Sequence, residues 1–454
     1  MELRAAGPDA TGPDAARPDD AVAAVMSDGP LTIHPLKLRA DPARVVIRPF
    51  HLGWQAPNAS SSRAGRLVAD VLSLSEREVE EEYAAILSDF SERHWQTESV
   101  FDERFREVAT SVRIRPAISA TRKRLIGAYF CHEYSYAAAA LMNPSVVAHP
   151  DQSGLTKGSE RFIMSMRAVG EGHISSIAFR EGIIEADDGF NLWPQPNVAT
   201  AAMININEPR RPDGTVSIHR HPESTLSGTV IFPITEHQSN GLEDLRLVRF
   251  DHGDGNYEWI GTYTAYNGRD IRSEFLRTRD FHDFTLGPIT GAAARNKGMA
   301  LFPRRIGHSY YMLSRQDGKN LYLLSSNRID EWDSEGVLLL EPRFPWEFIQ
   351  LGNCGSPILT DEGWLVLTHG VGAMRKYSIG AILLDRDIPS KVIARSERPL
   401  LSAKDSDREG YVPNVVYSCG GMKVRDKLFL PYGISDSAIG FATASIKDLL
   451  SFLK

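Results

Sequence analysis

The sequence predicts an all-β fold, a five-bladed β-propeller with an N-terminal α-helical extension, and three observations predict it. Beyond about residue 124, short runs rich in β-branched and aromatic residues, among them RFIMSMRAV, YEWIGTYTAY, LYLLSS, GWLVLTHGV and KLFLPYG, alternate with Gly, Asp, Asn and Pro clusters. Many short strands without intervening helices indicate a sandwich, a barrel or a propeller. Within them one rhythm recurs at 161–180, 243–265, 301–327, 363–386 and 427–446: a strand ending in a polar cluster, a turn, then a second strand after a Gly-containing link. Five such units match a small propeller, whose loops build a site at a central channel, better than they match a sandwich. Finally, 66–112 carries the helical period and not the strand period.

Taken in order, residues 1–30 are rich in Ala, Asp, Pro and Gly and read as a disordered tail, since so few large apolar groups cannot offset the entropy of ordering. Residues 31–118 read as the helical extension. In RLVADVLSL the apolar positions recur at three and four residues, and Ser75 followed by Glu78 forms a capping-box signature ahead of EREVEEEYAAILSDF. Residues 119–454 read as the propeller and catalytic domain.

The 454 residues are 42% hydrophobic and 24% charged, the composition of a globular protein. A formal net charge of −7 argues against a general nucleic-acid binder, which needs a basic face. The acidic, proline-containing start MELRAAGPDATGPDAARPDD does not read as a signal peptide, and no window approaches the roughly 18–20 apolar residues of a membrane span. Cys131, Cys354 and Cys419 are odd in number and far apart, with no CxxC spacing, so they are expected as buried thiols in a reducing compartment, the cytoplasm.

Two constellations could carry chemistry. Gly-Leu-Glu-Asp-Leu-Arg at 241–246 opens a strand, on which alternation puts Asp244 and Arg246 on one face and Glu243 and Leu245 on the other. A carboxylate beside a guanidinium is ordinarily a structural ion pair; the functional reading is a general acid whose pKa is set by its neighbours. Lys297, Arg315 and His369 each border a strand in a different unit. Singly they read as surface or satisfied polar groups, but converging they would form an anion pocket. His219, Arg220, His221 and Glu223 resemble a metal cluster yet lack further partners, so no metal is expected. There is no P-loop, no GxGxxG and no GxSxG elbow.

From about residue 125 onward the chain resembles glycoside hydrolase family 130, the β-mannoside phosphorylases and their hydrolytic relatives. The matching stretches are Asn143-Pro144-Ser145, GLEDLR, YTAY at 263–266, NKGMALFPRRIG with MLSR, GWLVLTHGV, IGAILLD, VPNVVYSCG at 412–420 and YGISDSAIGFA at 432–442, in family order. The resemblance implies a five-bladed propeller with Asp244 as general acid. It also implies a phosphate clamp of Lys297, Arg315 and His369, and sugar ligands at Asp436, Asn143, Arg167 and Arg246. Leu245 stands where the family has proline. Residues 190–240 and the helices at 66–112 are extra to the family core and are candidates for covering the leaving-group subsite or for homo-oligomerisation.

An inverting cleavage needs an acid on the leaving oxygen and a nucleophile on the opposite face. Phosphate brings its own charge and needs cations to orient it, whereas water needs a second carboxylate as base. One acid with a basic trio therefore points to phosphorolysis of a β-1,2- or β-1,4-linked mannoside, with inorganic phosphate as co-substrate, no cofactor, and α-mannose 1-phosphate as product. The alternative is an inverting β-mannosidase, with Glu243, Glu171 or Glu409 as base. A third reading is a non-catalytic glycan-binding propeller.

Overall fold

The apolar run Trp364–Val371 is buried at all eight positions, which requires a neighbour on each face of its sheet. The computed structural model, which describes residues 25–26, 29–52, 62–112, 114, 117–196, 198–205, 208 and 211–454, supplies both. Alternate side chains go opposite ways: Leu365 and Leu367 join the core that holds Leu428 and Leu430, while Trp364 and Val366 join the one that holds Leu313 and Leu323.

The chain is mostly β. Five antiparallel units follow one another, built around the hairpins Glu160–Val169 with Ser175–Ile184, Gly241–Asp251 with Tyr257–Tyr266, Tyr310–Ser314 with Leu321–Ser326, Trp364–Val371 with Tyr377–Leu384, and Lys427–Ile434 with Ala438–Ser445. These hairpins fall on the five expected rhythmic segments. A separate hydrophobic core is shared by each unit and the next: Phe179 and Leu247 belong to one, Ile260 and Met312 to a second, Leu323 and Trp364 to a third, and Leu367 and Leu430 to a fourth. The fifth core joins the last unit to the first, through Phe429 and Phe441 against Phe162 and Met164. Each fully buried aromatic or branched side chain contributes about 1.5–3 kcal/mol.

The last unit is completed by the beginning of the chain. Thr32–Ile33 and Leu38–Arg39 pair with Ala438–Ser445, with Leu38 opposite Ile439. The stretch 31–118 is therefore helical only in part, and its first strands belong to the sheet of the fifth unit. The expected tail at 1–30 falls almost wholly outside the described residues; within it, Val25–Met26 pairs with Thr32–Ile33.

The helices are Arg63–Ser73, Glu76–Phe90, Thr97–Val112 and Ala120–Tyr129, so they continue past the expected boundary at 118. They enclose a core of their own around Val68, Val79, Phe101 and Leu125. The Ser75–Glu78 capping box is present, with Ser75 N–H donating to Glu78 at 2.7 Å. The buried Arg122 guanidinium donates to the carbonyls of Val71 and Leu74 at 2.7 and 2.8 Å, satisfying the end of the first helix. The extra segment 190–240 builds sheet edges: Val216–His219 adds to Asp283–Pro288, and Thr229–Ile231 adds to Ser175–Ile184.

Candidate active site

Each unit delivers polar groups to one end of the assembly, and two bulges aim the central pair. Between Met142 and Ser145, and again between Glu243 and Arg246, the ladder register shifts. Asn143 and Asp244 sit at these shifts with φ of 49° and 58°, in the left-handed region that Asn and Asp tolerate better than most residues. Asn143 Nδ2 donates to Asp244 Oδ1 at 2.8 Å, linking the first unit to the second.

The bulge overturns the expected face assignment. An extra residue breaks the alternation, so Glu243 and Asp244 do not diverge: the Arg167 guanidinium reaches Asp244 at 3.2 Å and Glu243 at 2.8 Å. Leu245 instead enters the core between the first two units. Glu243, only 6% exposed, also receives Lys297 Nζ at 2.6 Å. Lys297 is therefore paired to a carboxylate in this structure, and Glu243 is clamped by two cations.

On the other side of Asp244 stand Arg246, Arg315 and His369. Arg246 donates to the Asp244 carbonyl at 2.9 Å and to the Tyr417 hydroxyl at 2.7 Å. Tyr417 packs against the His369 ring, 4.8 Å between centroids, and Tyr377 stacks on the same imidazole at 6.0 Å. His369 lies across Gly352, where a Cβ would come within 2.4 Å of the ring, so glycine is required there. His369 Nδ1 donates to the Asn353 carbonyl at 3.0 Å, which fixes the tautomer and leaves Nε2 to accept from Gln350 at 3.2 Å. Burial, with Arg315 and Arg246 nearby, lowers its pKa to about 3, so the ring is neutral. The expected basic trio is thus not three cations; at His369 the structure presents an uncharged nitrogen.

Within this cluster three buried atoms have no hydrogen-bond partner among the described residues: the Nε donors of Arg246 and Arg315, and the acceptor Asn143 Oδ1. Burial pushes the Arg315 guanidinium down; Tyr417, Arg246, Tyr377 and Asp244 are the charged or ionisable groups acting on it most strongly, and Asp244 is the one carboxylate among them. Asp436, from the turn between Lys427–Ile434 and Ala438–Ser445, is held at φ 51°.

The two aspartates are driven apart. Burial would raise Asp244, but Arg167, Arg246, the Asn143 hydrogen bond and Lys297 outweigh it and hold the carboxyl well below its ordinary range. Burial and the Asp244 charge raise Asp436 to about 6, against the pull of Arg167 and Arg375. Folding therefore favours protonated Asp436, a stabilisation fully present below about pH 4 and lost as pH rises through 6. Asp436→Asn should be more stable than the parent by about 1–3 kcal/mol at pH 8 and equal to it at pH 4. Thermal melts at both pH values check this; a lower melting temperature at pH 8 would contradict it.

All the candidate residues, with Glu243 among the alternative bases, come together here; Glu171 and Glu409 do not share these hydrogen bonds. Glu171 and Glu409 are exposed. His221 makes an edge contact with Trp95 at 4.7 Å, away from this cluster's hydrogen bonds. Among the three cysteines, Cys354 and Cys419 are buried beside Arg246, while Cys131 is half-buried. Tyr417, Tyr377 and Asn353 were not anticipated; Tyr417 lies in the matching stretch VPNVVYSCG, which is the signal that could have found it.

Buried Asp244, with Asn143, Arg167 and Asp436 around it and the guanidiniums of Arg246 and Arg315 close by, is the polar, carboxylate-bearing cleft of a carbohydrate-active enzyme. The sequence model of glycoside hydrolase family 130, described as β-1,4-mannooligosaccharide phosphorylase, matches residues 198–454, and the chain belongs to that family. It is 34% identical over 219 residues to a 1,2-β-oligomannan phosphorylase of Thermoanaerobacter sp., covering 47% of this chain and 72% of that protein. It is 29% identical over 231 residues to a β-1,2-mannobiose phosphorylase of Listeria innocua, covering 49% and 63%. Its fold is similar to that of a solved family member described with hydrolases that target β-1,2 mannosidic linkages, at 20% identity and TM-score 0.51, over 70% of this chain and 87% of that one. A glycoside hydrolase-like protein from Parabacteroides distasonis is similar at 18% identity and TM-score 0.50, over 69% and 89%.

Proposed function

We propose that the protein is an inverting β-mannoside phosphorylase, which transfers a mannosyl group from a β-1,2- or β-1,4-linked mannoside to inorganic phosphate and releases α-mannose 1-phosphate. The five units are then blades of a closed five-bladed propeller, a reading supported by the core that joins the last unit to the first. No described helix is long and apolar enough to cross a membrane, and we place the enzyme in the cytoplasm on its free thiols.

The observation that carries the proposal is geometric: next to Asp244 the buried Nε donors of Arg246 and Arg315 have no partner among the described residues. Glu243 is engaged by Arg167 and Lys297. A phosphate seated at Arg246 and Arg315, beside the neutral His369 ring, would meet two guanidiniums whose Nε donors lack partners among the described residues, and charge-assisted bonds of this kind are about twice as strong as neutral ones. Asn143, Arg167 and Asp436 then hold the mannosyl hydroxyls.

The chemistry balances without a base. The C1–oxygen bond to the leaving sugar breaks as a phosphate oxygen bonds C1 from the opposite face, so β becomes α. Asp244 delivers a proton to the departing oxygen, and hydrogen phosphate brings in the proton that replaces it. A bound dianion also offsets the charges of Arg246 and Arg315, so it favours the protonated form of Asp244 that an acid requires.

Incubation with β-1,2- and β-1,4-mannobiose tests the assignment and its linkage together. Cleavage of at least one isomer at a rate that rises with phosphate concentration and saturates is expected. A rate indifferent to phosphate would replace the proposal with a β-mannosidase, and binding without turnover of either would replace it with a glycan-binding protein.

A further inference from the structure

We propose that Tyr411, together with His173, forms a leaving-group subsite in which the departing sugar lies against the Tyr411 ring; the proposal rests on the phosphorylase reading above. Tyr411 is 49% exposed, yet it is fixed at both ends. Its backbone N–H donates to Ser437 Oγ at 2.6 Å, and its hydroxyl meets His173 Nδ1 at 3.0 Å, the two rings 5.9 Å apart. A long exposed side chain ordinarily keeps its rotamer freedom, so a pinned one presents a surface already ordered for a ligand.

Both anchors lead to the site. Ser437 follows Asp436, and Val412 N–H donates to the Ser435 carbonyl at 3.0 Å on its other side, so the loop at 403–414 grips the turn that carries Asp436. Gly410 permits this grip, since a Cβ there would stand 2.4 Å from the Ser435 oxygen. Tyr377, which stacks on His369, donates its N–H to the Asn414 carbonyl at 3.0 Å. His173 lies in the turn between Arg167 and Ser175, which bond each other at 2.9 Å. The pair therefore spans the rim from the Asp436 turn to the turn beside Arg167. The interior of the site is charged and suits phosphate and hydroxyls. A half-exposed phenol ring at its edge offers an apolar face to the C–H face of a pyranose, with a hydroxyl and an imidazole at the margin for its oxygens.

The test is the reverse reaction, with α-mannose 1-phosphate as donor and mannose as acceptor. Tyr411→Ala should raise the acceptor KM about three- to ten-fold while the donor KM and the melting temperature stay unchanged. Tyr411→Phe, which keeps the ring, should recover most of that loss. A variant that raises both KM values or lowers the melting temperature would show the pair to be only a strut between two units, and an unchanged acceptor KM would remove the subsite. If the parent enzyme itself makes no mannoside from this donor, the phosphorylase reading falls, and the subsite with it.

Discussion

Asp244→Asn is expected to lower kcat by about 10²–10⁴-fold, the range for removal of a positioned general acid, with the fold retained. The amide oxygen can still accept from Asn143 and Arg167, which bond Asp244 Oδ1 at 2.8 and 3.2 Å, so the local geometry survives. Arg167 also keeps its bond to Glu243. What disappears is the transferable proton and one buried negative charge. A second readout follows from the same charge: because Asp244 helps to raise the Asp436 carboxyl to about 6, Asp436 in the variant should titrate lower. Steady-state rates and a carboxyl titration check both, and a variant within a few-fold of parent kcat would contradict the assignment of the acid.

Arg315→Ala should raise the KM for phosphate at least about 30-fold while changing the KM for the mannoside little. Removing one member of a buried, hydrogen-bonded charge pair costs about 2–5 kcal/mol, and the pair here forms when phosphate binds. In the free protein Arg315 Nε has no hydrogen-bond partner among the described residues, and burial already disfavours its charge. Arg315→Lys should not restore affinity fully, because an ammonium cannot reproduce the planar fork. An unchanged phosphate KM in Arg315→Ala would dissolve the clamp. His369 belongs to the same pocket in a different capacity: neutral, with Nδ1 donating to the Asn353 carbonyl and Nε2 accepting from Gln350, it shapes the wall beside Arg315 and adds no charge.

The five hairpins were legible because each carries an apolar run bounded by turns, and in Trp364–Val371 even the absence of alternation was informative, since both faces are covered. Convergence of Asn143, Arg167, Asp244, Arg315 and His369 was legible through family resemblance and through their places at strand ends. The geometry within the cluster was not. Strict alternation separated Glu243 from Asp244, and the bulge of one extra residue that reunites them leaves no trace beyond an aspartate tolerant of positive φ. Thr32–Ile33 and Leu38–Arg39, which complete the fifth unit, are too short to show any period. The neutral state of His369 arises from burial next to two arginines distant in sequence, which only the folded chain brings together.

The most direct test of the account is an NMR record of the products formed from mannobiose by the purified enzyme, with and without inorganic phosphate, following both phosphorus and the anomeric proton. The account predicts α-mannose 1-phosphate as the first mannosyl product when phosphate is present, and no cleavage when it is absent. Free mannose appearing without phosphate, or a β-configured phosphate ester, would contradict it.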